Sequence, residues 1–544
     1  MKWYFKKLFN KTETQDNKNE HSFSSCSTTS NKAFLFVFLS LVSLVAAIAV
    51  DYICYLFVGR TSLGTWYNPY WIGFFFLCGI IAAAFFVFRH DIRTKPENLF
   101  LVIALSITCF SSISFDVNNP SWDSGAHYRH VVERSKFRSE VDLTVSDTEM
   151  INANPSNIYF NLSDLNSYAK KLDQENAIED GGSVYGSVSY LYQSVASLPG
   201  SLVFSICTAL DAPFSLKFIL SRLPYALIYS LVAFFGMKQL KSGKMLFAVI
   251  ALLPTAVFLA SNYNYDYWVN AFMLLAGACL VRELQTPEEK ISKTRAAVLL
   301  GSFIIGFGPK AIYFPLILLC LLIPKRKFSS ALSSRLFRGG VFFSCFLVAA
   351  SFLIPYFLVN GPGVGDIRGG SDVNATEQIR FILSHPIAFS RTMGLFLLDY
   401  YSISLSAAYI TFYAYLGFSS LPLWTIVFSL LVFTTITDKS NVDTLVCTWK
   451  SRVFSILLHL FTVVLFASAL YVEFSGVGSE SISGCQPRYL IPLLFCTLVF
   501  LSSSRFAWPR TLNRRKTMYN TIVLGLMSMV LLVGFWQVYI SLLY

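Results

Sequence analysis

The sequence predicts an all-α polytopic membrane protein, a transmembrane helical bundle of about 13 crossings. Of its 544 residues, 54% are hydrophobic and only 14% are charged, and 51 are phenylalanines. A soluble chain of this length would expose far more charge, so the composition excludes an ordinary soluble globular protein. Apolar stretches of the length that crosses a hydrocarbon core as a helix recur along the chain.

Eleven stretches meet this length rule. They cover residues 33–58, 70–88, 99–115, 213–237, 245–262, 266–282, 339–359, 421–437, 453–475, 489–503 and 519–541. A further run, 296–324, is too long for one helix and is interrupted at Gly306, Gly308 and Pro309. It predicts a hairpin of two short helices with Lys310 near its tip, and counting both arms gives 13 crossings.

The basic residues indicate the orientation of these crossings. Seven segments together hold 29 of the 43 Lys and Arg residues: 1–32, 89–98, 238–244, 282–295, 325–338, 437–452 and 504–516. They alternate correctly with the predicted helices, so the positive-inside rule makes them cytoplasmic. The amino terminus is then inside and the carboxyl terminus outside. The net charge of +12 is explained by topology, and no nucleic-acid partner is predicted.

Two regions are predicted to lie outside. The first, 116–212, is acidic in its 116–185 part, where 12 acidic residues outnumber six basic ones. Its polar segment 140–185 is expected to be a mobile loop that orders over a ligand, and 186–210 a re-entrant or surface-lying helix. The second region, 360–420, contains a stretch, 380–416, that either lies on the membrane or crosses it twice.

The chain is divided accordingly. Residues 1–32 form a polar cytoplasmic tail, 33–98 two N-terminal transmembrane helices, and 99–541 the main membrane domain.

The first cluster of ionisable residues after a membrane segment lies in 114–134, SFDVNNPSWDSGAHYRHVVER. After a turn, Ser121 or Asp123 can cap a helix. Spacings of four, three and four then place the side chains of Asp123, His127, His130 and Arg134 on one helix face. A second carboxylate, Asp116, lies seven residues before Asp123. An exposed capped helix is the simple alternative to a functional site.

Four further charged residues are placed at outward helix ends: Arg222, Asp266, Lys310 and Arg488. Ionisable groups near hydrocarbon are costly and usually functional, although snorkelling to the interface explains each one singly. Together they predict a shared outward cavity. A carboxylate base with several cations suits the transfer of a sugar from a lipid-linked phosphate to a hydroxyl group.

Short motifs give a family resemblance. They are SWDSGAHY around Asp123, LSRLP around Arg222, LLPTAVFLASNYNYD ending at Asp266, KAIYFP from Lys310, and QPRYLIP around Arg488. In these the chain is similar, over most of its length after about residue 99, to the bacterial membrane-protein family called domain of unknown function 2142, which is related to GT-C glycosyltransferases. Ser124 replaces the second acid of the family's first motif, and Pro487 replaces a glycine of the last one.

The resemblance implies a GT-C-like fold over 99–541 and a GT-C-type glycosyltransferase. The enzyme would move a hexosyl or pentosyl group from a polyprenyl-phosphate-linked donor to a cell-envelope glycan or lipid acceptor outside the bacterial plasma membrane. We assign roles on this basis. The catalytic residues are Asp123 as general base, Asp116 as helper and His127 as orienting group; the donor-phosphate ligands are Arg222, Lys310 and Arg488; the substrate-binding residues are Tyr128, Asp266, Gln486 and Tyr489.

Some questions stay open at this point. No cofactor is assigned, but a divalent metal held by Asp116 and Asp123 is considered. A transporter or flippase of a lipid-linked saccharide is the alternative from another class, and a surface-polysaccharide polymerase or ligase shares the same substrates.

Overall fold

The computed structural model describes most of the chain. The described residues are 24–58, 69–118, 121, 123–135, 140–153, 162–175, 178–185, 192–359, 372–402, 410–413, 421–501 and 513–540. They form an α-helical bundle with one two-stranded antiparallel sheet. The predicted tail up to residue 23, and parts of the second outward region, lie outside the described residues.

The helices follow the predicted apolar segments closely. In the first half they are α1 (Ser24–Val58), α2 (Pro69–Val87), α3 (Pro96–Ser114), α4 (Ser124–Ser135), α5 (Val145–Asn152), α6 (Leu162–Gln174), α7 (Leu198–Ala209), α8 (Phe214–Leu220), α9 (Leu223–Gln239), α10 (Lys244–Ala251) and α11 (Pro254–Ala260). In the second half they are α12 (Asp266–Gln285), α13 (Lys293–Phe307), α14 (Ala331–Val359), α15 (Ala375–Ser384), α16 (Pro386–Tyr400), α17 (Leu421–Thr437), α18 (Trp449–Phe474), α19 (Ile491–Leu501) and α20 (Asn513–Phe535).

Short helices of other types complete these elements. Ala311–Leu322, Lys325–Lys327, Asn441–Asp443 and Pro487–Leu490 are 3-10 helices, and Trp536–Ile540 extends α20 as a π-helix. The first of them pairs with α13 as the predicted hairpin, and Lys310 lies between its two arms.

The predicted number of 13 crossings is not confirmed. In the described part of the chain eight helices are long and apolar enough to cross a membrane, or nine if the bent pair α15 and α16 is one span. The number is lower than predicted because some apolar stretches that were counted as crossings form helices too short to span a membrane. The run predicted over 245–262 is interrupted after Ala251, and Pro254 begins a second helix, so the run becomes α10 and α11. Both are buried inside the bundle, where backbone groups are sheltered without a full span.

The core is built around α12. Of its spanning window 83% is buried, against 6% for the span in α1, so α12 is central and α1 peripheral. Where α12 meets α19 the helices approach closely. A Cβ at Gly277 would lie 2.8 Å from Cys496 Sγ and 2.9 Å from the Phe495 ring, so only glycine fits there. This contact, the Gly277 notch, fixes the axial position of α12 against α19.

The region 140–185 differs from the mobile loop that was predicted. Strand β1 (Glu140–Thr144) pairs antiparallel with β2 (Ile178–Tyr185), and α5 and α6 lie between them in the chain. Thr144 and Asp147 form a capping box that starts α5. Ser146 Oγ donates to the Leu172 carbonyl at 2.6 Å and joins α5 to α6. The polar residues of this region therefore form helix caps and hydrogen bonds between its helices.

The loops predicted to be cytoplasmic meet at one end of the bundle, which we call the basic end. Lys244 pairs with Glu97 at 2.7 Å, and Lys327 pairs with Glu283 at 2.9 Å. Buried Gln285, at the end of α12, accepts from the Lys241 backbone N–H and donates to Asp443. Segments far apart in sequence thus share one side, as the charge pattern predicts.

Candidate functional site

The site lies at the opposite end of α12 from the basic end. Four elements contribute: the start of α4, the start of α12, the tip of the 296–324 hairpin, and the 3-10 turn Pro487–Leu490 before α19. They bring together side chains from positions more than 350 residues apart in the chain, which we call the ion cluster. Its members are Asp123, His127, Tyr265, Asp266, Lys310, Arg488 and Tyr489.

Asp266 joins the two cations of the ion cluster. Its Oδ1 lies 3.2 Å from Lys310 Nζ, and its Oδ2 lies 3.4 Å from Arg488 Nη1. The three side chains are only 7%, 14% and 3% exposed. Buried charges need partners of opposite sign, and one carboxylate here serves two cations. The group therefore keeps an excess of positive charge, which a second anion can balance.

Asp123 supplies the second carboxylate from the outer side. Its Oδ2 lies 3.7 Å from Arg488 Nη2, and its side chain is 44% exposed. It stands at the start of α4, where its carbonyl accepts from the His127 N–H at 3.1 Å. Its φ of 54° lies in the left-handed region, which Asp and Asn tolerate better than most residues. Asp123 is thus the acid of the ion cluster that solvent reaches.

Aromatic rings surround the cations. Lys310 Nζ lies 3.5 Å from the centroid of the Tyr489 ring, and Arg488 Cζ lies 5.6 Å from the same centroid. The His127 ring meets the Tyr265 ring edge to face at 4.6 Å. Rings that face cations in this way hold them without neutralising them.

Outside the spanning segments, the charge states of His127 and Lys310 determine the electrostatics of the site. Burial, helped by the nearby charges of His130 and Arg488, lowers the pKa of His127 to about 3, so its imidazole is neutral. Burial lowers the pKa of Lys310 to about 8, while Asp266 acts in the opposite direction. At neutral pH His127 therefore offers one donor and one acceptor, and Lys310 carries its proton.

Only part of the polar helix face that the sequence predicts on α4 contributes to the ion cluster. His127 and His130 both line a cavity of about 30 Å³, the space of about one water molecule. Arg134 is buried, and its Nη2 donates at 3.2 Å to the hydroxyl of Ser194, which lines the same cavity. His130 also pairs with Glu133 at 3.0 Å. Of the four predicted residues, Asp123 and His127 belong to the ion cluster.

Three predicted site residues have structural contacts instead. Arg222 is completely buried and donates to the carbonyls of Asn118, at 3.0 Å, and Asp116. It fixes the turn before α4, and its two Nη atoms are engaged by these carbonyls instead of a donor phosphate. The Tyr128 hydroxyl, also fully buried, donates to Asp147 at 2.6 Å. The Asp116 carboxyl lies near Arg222 and Asp173, and burial raises its pKa.

Two residues near the cluster complete its description. Gln486, predicted to bind substrate, precedes the 3-10 turn, and its backbone carbonyl accepts from Tyr400 Oη at 3.0 Å. Its Oε1 atom is buried and bonds to no other described residue. Tyr265 was not predicted, although it lies next to Asp266. The alternation SNYNYDYW was the available signal, but it is equally typical of a membrane-interface aromatic belt.

Comparison with known proteins places the chain in a family. The profile described as a predicted membrane protein (DUF2142) matches residues 132–497, about two thirds of the chain. The chain belongs to the DUF2142 family. No curated protein and no solved structure matches it. The matched segment contains Asp266, Lys310 and Arg488 but begins after Asp123, His127 and Tyr128, so it starts later than the resemblance from residue 99 that the motifs suggested.

This DUF2142 protein also has an apolar groove of about 310 Å³, and one of its lining residues is the chain neighbour of Tyr489. It lies between α17 and α19 and is lined by side chains that include Phe428, Leu431, Leu490 and Leu494. Leu490 directly follows Tyr489 in the chain. A largely apolar groove next to a charged group is the arrangement that an amphipathic lipid with an ionic head requires.

The metal considered from the sequence is not supported by the site. Among the described residues no group of three or more His, Cys, Asp or Glu side chains could hold a metal ion. Asp116 and Asp123 have different neighbours, since Asp116 lies near Arg222 and Asp123 near Arg488. Because a divalent cation needs several oxygen ligands, we derive no step through a metal.

Proposed function

We propose that this protein is a membrane glycosyltransferase. It moves a sugar from a polyprenyl-phosphate-linked donor to a hydroxyl group of a cell-envelope glycan or lipid. The observation that carries the proposal is the arrangement of the ion cluster, in which Asp266 is shared by Lys310 and Arg488 and Asp123 stands exposed beside them. Cations inside and a reachable carboxylate outside match a phosphate leaving group and an acceptor.

Each residue has a place in the reaction. The acceptor oxygen forms a bond to the anomeric carbon of the sugar as the bond from that carbon to the phosphate oxygen breaks. The acceptor proton passes to the Asp123 carboxylate as general base. The polyprenyl phosphate leaves with an additional negative charge, which Lys310 and Arg488 stabilise. Asp266 holds these two cations in position, and Tyr489 stacks on Lys310.

His127 has a supporting part in this scheme. It follows Asp123 by one helical turn, and its neutral ring is oriented by Tyr265. A neutral imidazole can donate to or accept from the acceptor hydroxyl group without competing for its proton. Gln486 Oε1 has no partner among the described residues and would accept a hydrogen bond from a sugar hydroxyl group.

The apolar groove supports a lipid-linked donor. The polyprenyl chain would lie against Leu490 and Leu494, with its phosphate at Arg488 and Lys310. No nucleotide-binding loop is then needed, because the donor arrives within the bilayer. By the charge distribution the ion cluster faces the outside of a bacterial plasma membrane, with the amino terminus in the cytoplasm and the carboxyl terminus outside.

The test compares cells that produce Asp123→Asn with cells that produce the wild type. Asn keeps the shape, the capping ability and the tolerance of a φ of 54° but cannot accept a proton, so folding is preserved. General-base catalysis contributes about 10²–10⁴-fold, and transfer should fall by that factor. Lipid-linked sugar should accumulate while the envelope glycan loses its decoration. Asp399→Asn, which changes an exposed carboxylate of α16, is the control.

The outcomes separate the candidate functions. Full transfer by Asp123→Asn would refute the assignment of the base. Donor trapped on the cytoplasmic leaflet in cells lacking the protein would favour a flippase. Shortened glycan chains of normal composition would favour a polymerase or ligase.

A further inference from the structure

The basic end contains a second cavity, of about 290 Å³. It lies where the link after α2, the link between α9 and α10, the end of α17 and the start of α20 meet. Five of its lining residues are cationic: Arg93, Lys238, Lys241, Lys244 and Lys516. Its volume is close to the lower limit of about 300 Å³ for ligand pockets. A cleft lined by charges of one sign concentrates counter-ions of the opposite sign.

The only acidic side chain lining this cavity in the described part of the chain is Asp438, and its charge is already engaged. Its Oδ2 accepts from the backbone N–H groups of Met245, at 2.5 Å, and Leu246, at 3.0 Å, in the first turn of α10. A carboxylate at a helix N-terminus is stabilised there by the helix dipole. Asp438 therefore stabilises the start of α10 at the wall of the cavity, and its negative charge balances little of the positive charge of the lysines.

The structure describes the surroundings of four of these cations. Lys244 pairs with Glu97 at 2.7 Å. Arg93 and Lys241 make no ion pair with any acid that the structure describes, and Lys238 only faces the Phe234 ring at 5.9 Å. Arg93, Lys238 and Lys241 thus face a single acidic lining residue that the structure describes, Asp438, so these four side chains keep an excess of two positive charges.

The walls of the cavity are fixed by the fold. The Lys241 N–H donates to Gln285 Oε1 at 2.9 Å, and Gln285 Nε2 donates to the Ser242 carbonyl at 3.1 Å. Buried Asn520 donates to the Ile92 carbonyl at 2.8 Å, which ties α20 to the link after α2. The cations are thus carried by four elements held in register, which distinguishes the cavity from a loose basic surface.

We propose that this cavity binds one phosphate-bearing anion at the basic end. Two sources offer that chemistry, the phosphodiester headgroup of an anionic lipid and free inorganic phosphate. The cavity is separate from the ion cluster. The 20 residues of α12 that join Asp266 to Gln285 span about 30 Å. The proposal therefore stands whether or not the protein is a transferase.

The experiment uses the full chain, purified in a neutral detergent. Retention of phosphatidylglycerol and of phosphatidylcholine is counted by native mass spectrometry, and inorganic phosphate is added as competitor. The wild type should retain one phosphatidylglycerol more tightly than phosphatidylcholine. The double variant Lys241→Ala/Lys516→Ala removes two lining cations. At about fivefold for each cation near an anionic surface, its affinity should fall about 25-fold.

The control is Arg335→Ala/Lys450→Ala, which removes two exposed cations of the same end that do not line the cavity. It should retain the lipid like the wild type, and thermal unfolding checks that both double variants are folded. Equal loss in the two double variants, or no loss in either, would overturn the proposal. Displacement of the lipid by millimolar phosphate, with saturable phosphate binding, would assign the site to free phosphate. Absence of specific binding of either probe would also refute it.

Discussion

Asp266 is the residue whose loss should disturb the fold most through charge. In Asp266→Asn, Lys310 and Arg488 lose the carboxylate that lies 3.2 and 3.4 Å from them. At an effective dielectric constant of about 20, each such contact is an attraction of about 5 kcal/mol before desolvation is counted. Breaking a buried pair by removing one partner costs about 3–5 kcal/mol, and we expect that loss in the free energy of unfolding.

The assay is unfolding of the purified protein by titration with a denaturing detergent. Asp399→Asn is the matched control, since its exposed carboxylate should change the stability by no more than about 0.5 kcal/mol. The double variant Asp266→Asn/Lys310→Met should be less destabilised than the two single effects predict, because it leaves one cation fewer without a partner. Additive effects would show that Asp266 and Lys310 do not interact.

The pH dependence gives a second check on the same variant. Lys310 has a folded pKa of about 8, already below its ordinary 10.5, and Asp266 is the neighbour that raises it. Without Asp266 this pKa falls further. Protonated Lys310 then destabilises the fold at pH 6, and stability returns as rising pH removes the proton. The deficit of Asp266→Asn should be smaller at pH 9 than at pH 6; a constant deficit would refute this reasoning.

Three further predictions concern neighbouring residues. If Lys310 holds the donor phosphate, kcat/KM for transfer should fall as the pH rises through about 8, and Lys310→Arg should remove that decline. Gly125→Ala would place a Cβ against the Ile151 carbonyl oxygen and should cost about 1–3 kcal/mol by denaturant titration, whereas Gly301→Ala, with open space around it, should not destabilise. Tyr128→Phe removes a hydrogen bond to the Asp147 carboxylate and should cost about 1.5–3 kcal/mol in the same titration; an unchanged stability would contradict this contact.

Helix positions were predictable from the sequence because apolar length and broken runs are local properties. The hairpin with Lys310 between its arms follows directly from the interruption at Gly306, Gly308 and Pro309. The number of crossings was not predictable in this way. Hydropathy does not distinguish an apolar segment that faces lipid from one, such as α10, that is buried inside the bundle.

The ion cluster was predicted in part. Asp266, Lys310 and Arg488 were expected together because each ionisable side chain occurs at an outward helix end, where an unpaired charge is costly. Arg222 meets the same criterion but bonds to backbone carbonyls about 100 residues earlier, a tertiary contact with no local signal. Tyr128 has its partner Asp147 in a helix that the polar composition of 140–185 did not indicate.

The Gly277 notch also determines how substitutions far from the ion cluster would affect it. Asp266 begins α12, eleven residues before Gly277, and Arg488 lies in the turn that leads into α19, eight residues before Cys496. The notch therefore sets the distance between these two charges. A slip of one residue along a helix moves its side chains by about 1.5 Å, enough to separate an ion pair that now measures 3.4 Å. A larger side chain at position 277 would therefore separate the Asp266–Arg488 ion pair although it contacts neither residue. A smaller side chain in place of Phe495 should make room for it and restore the pair.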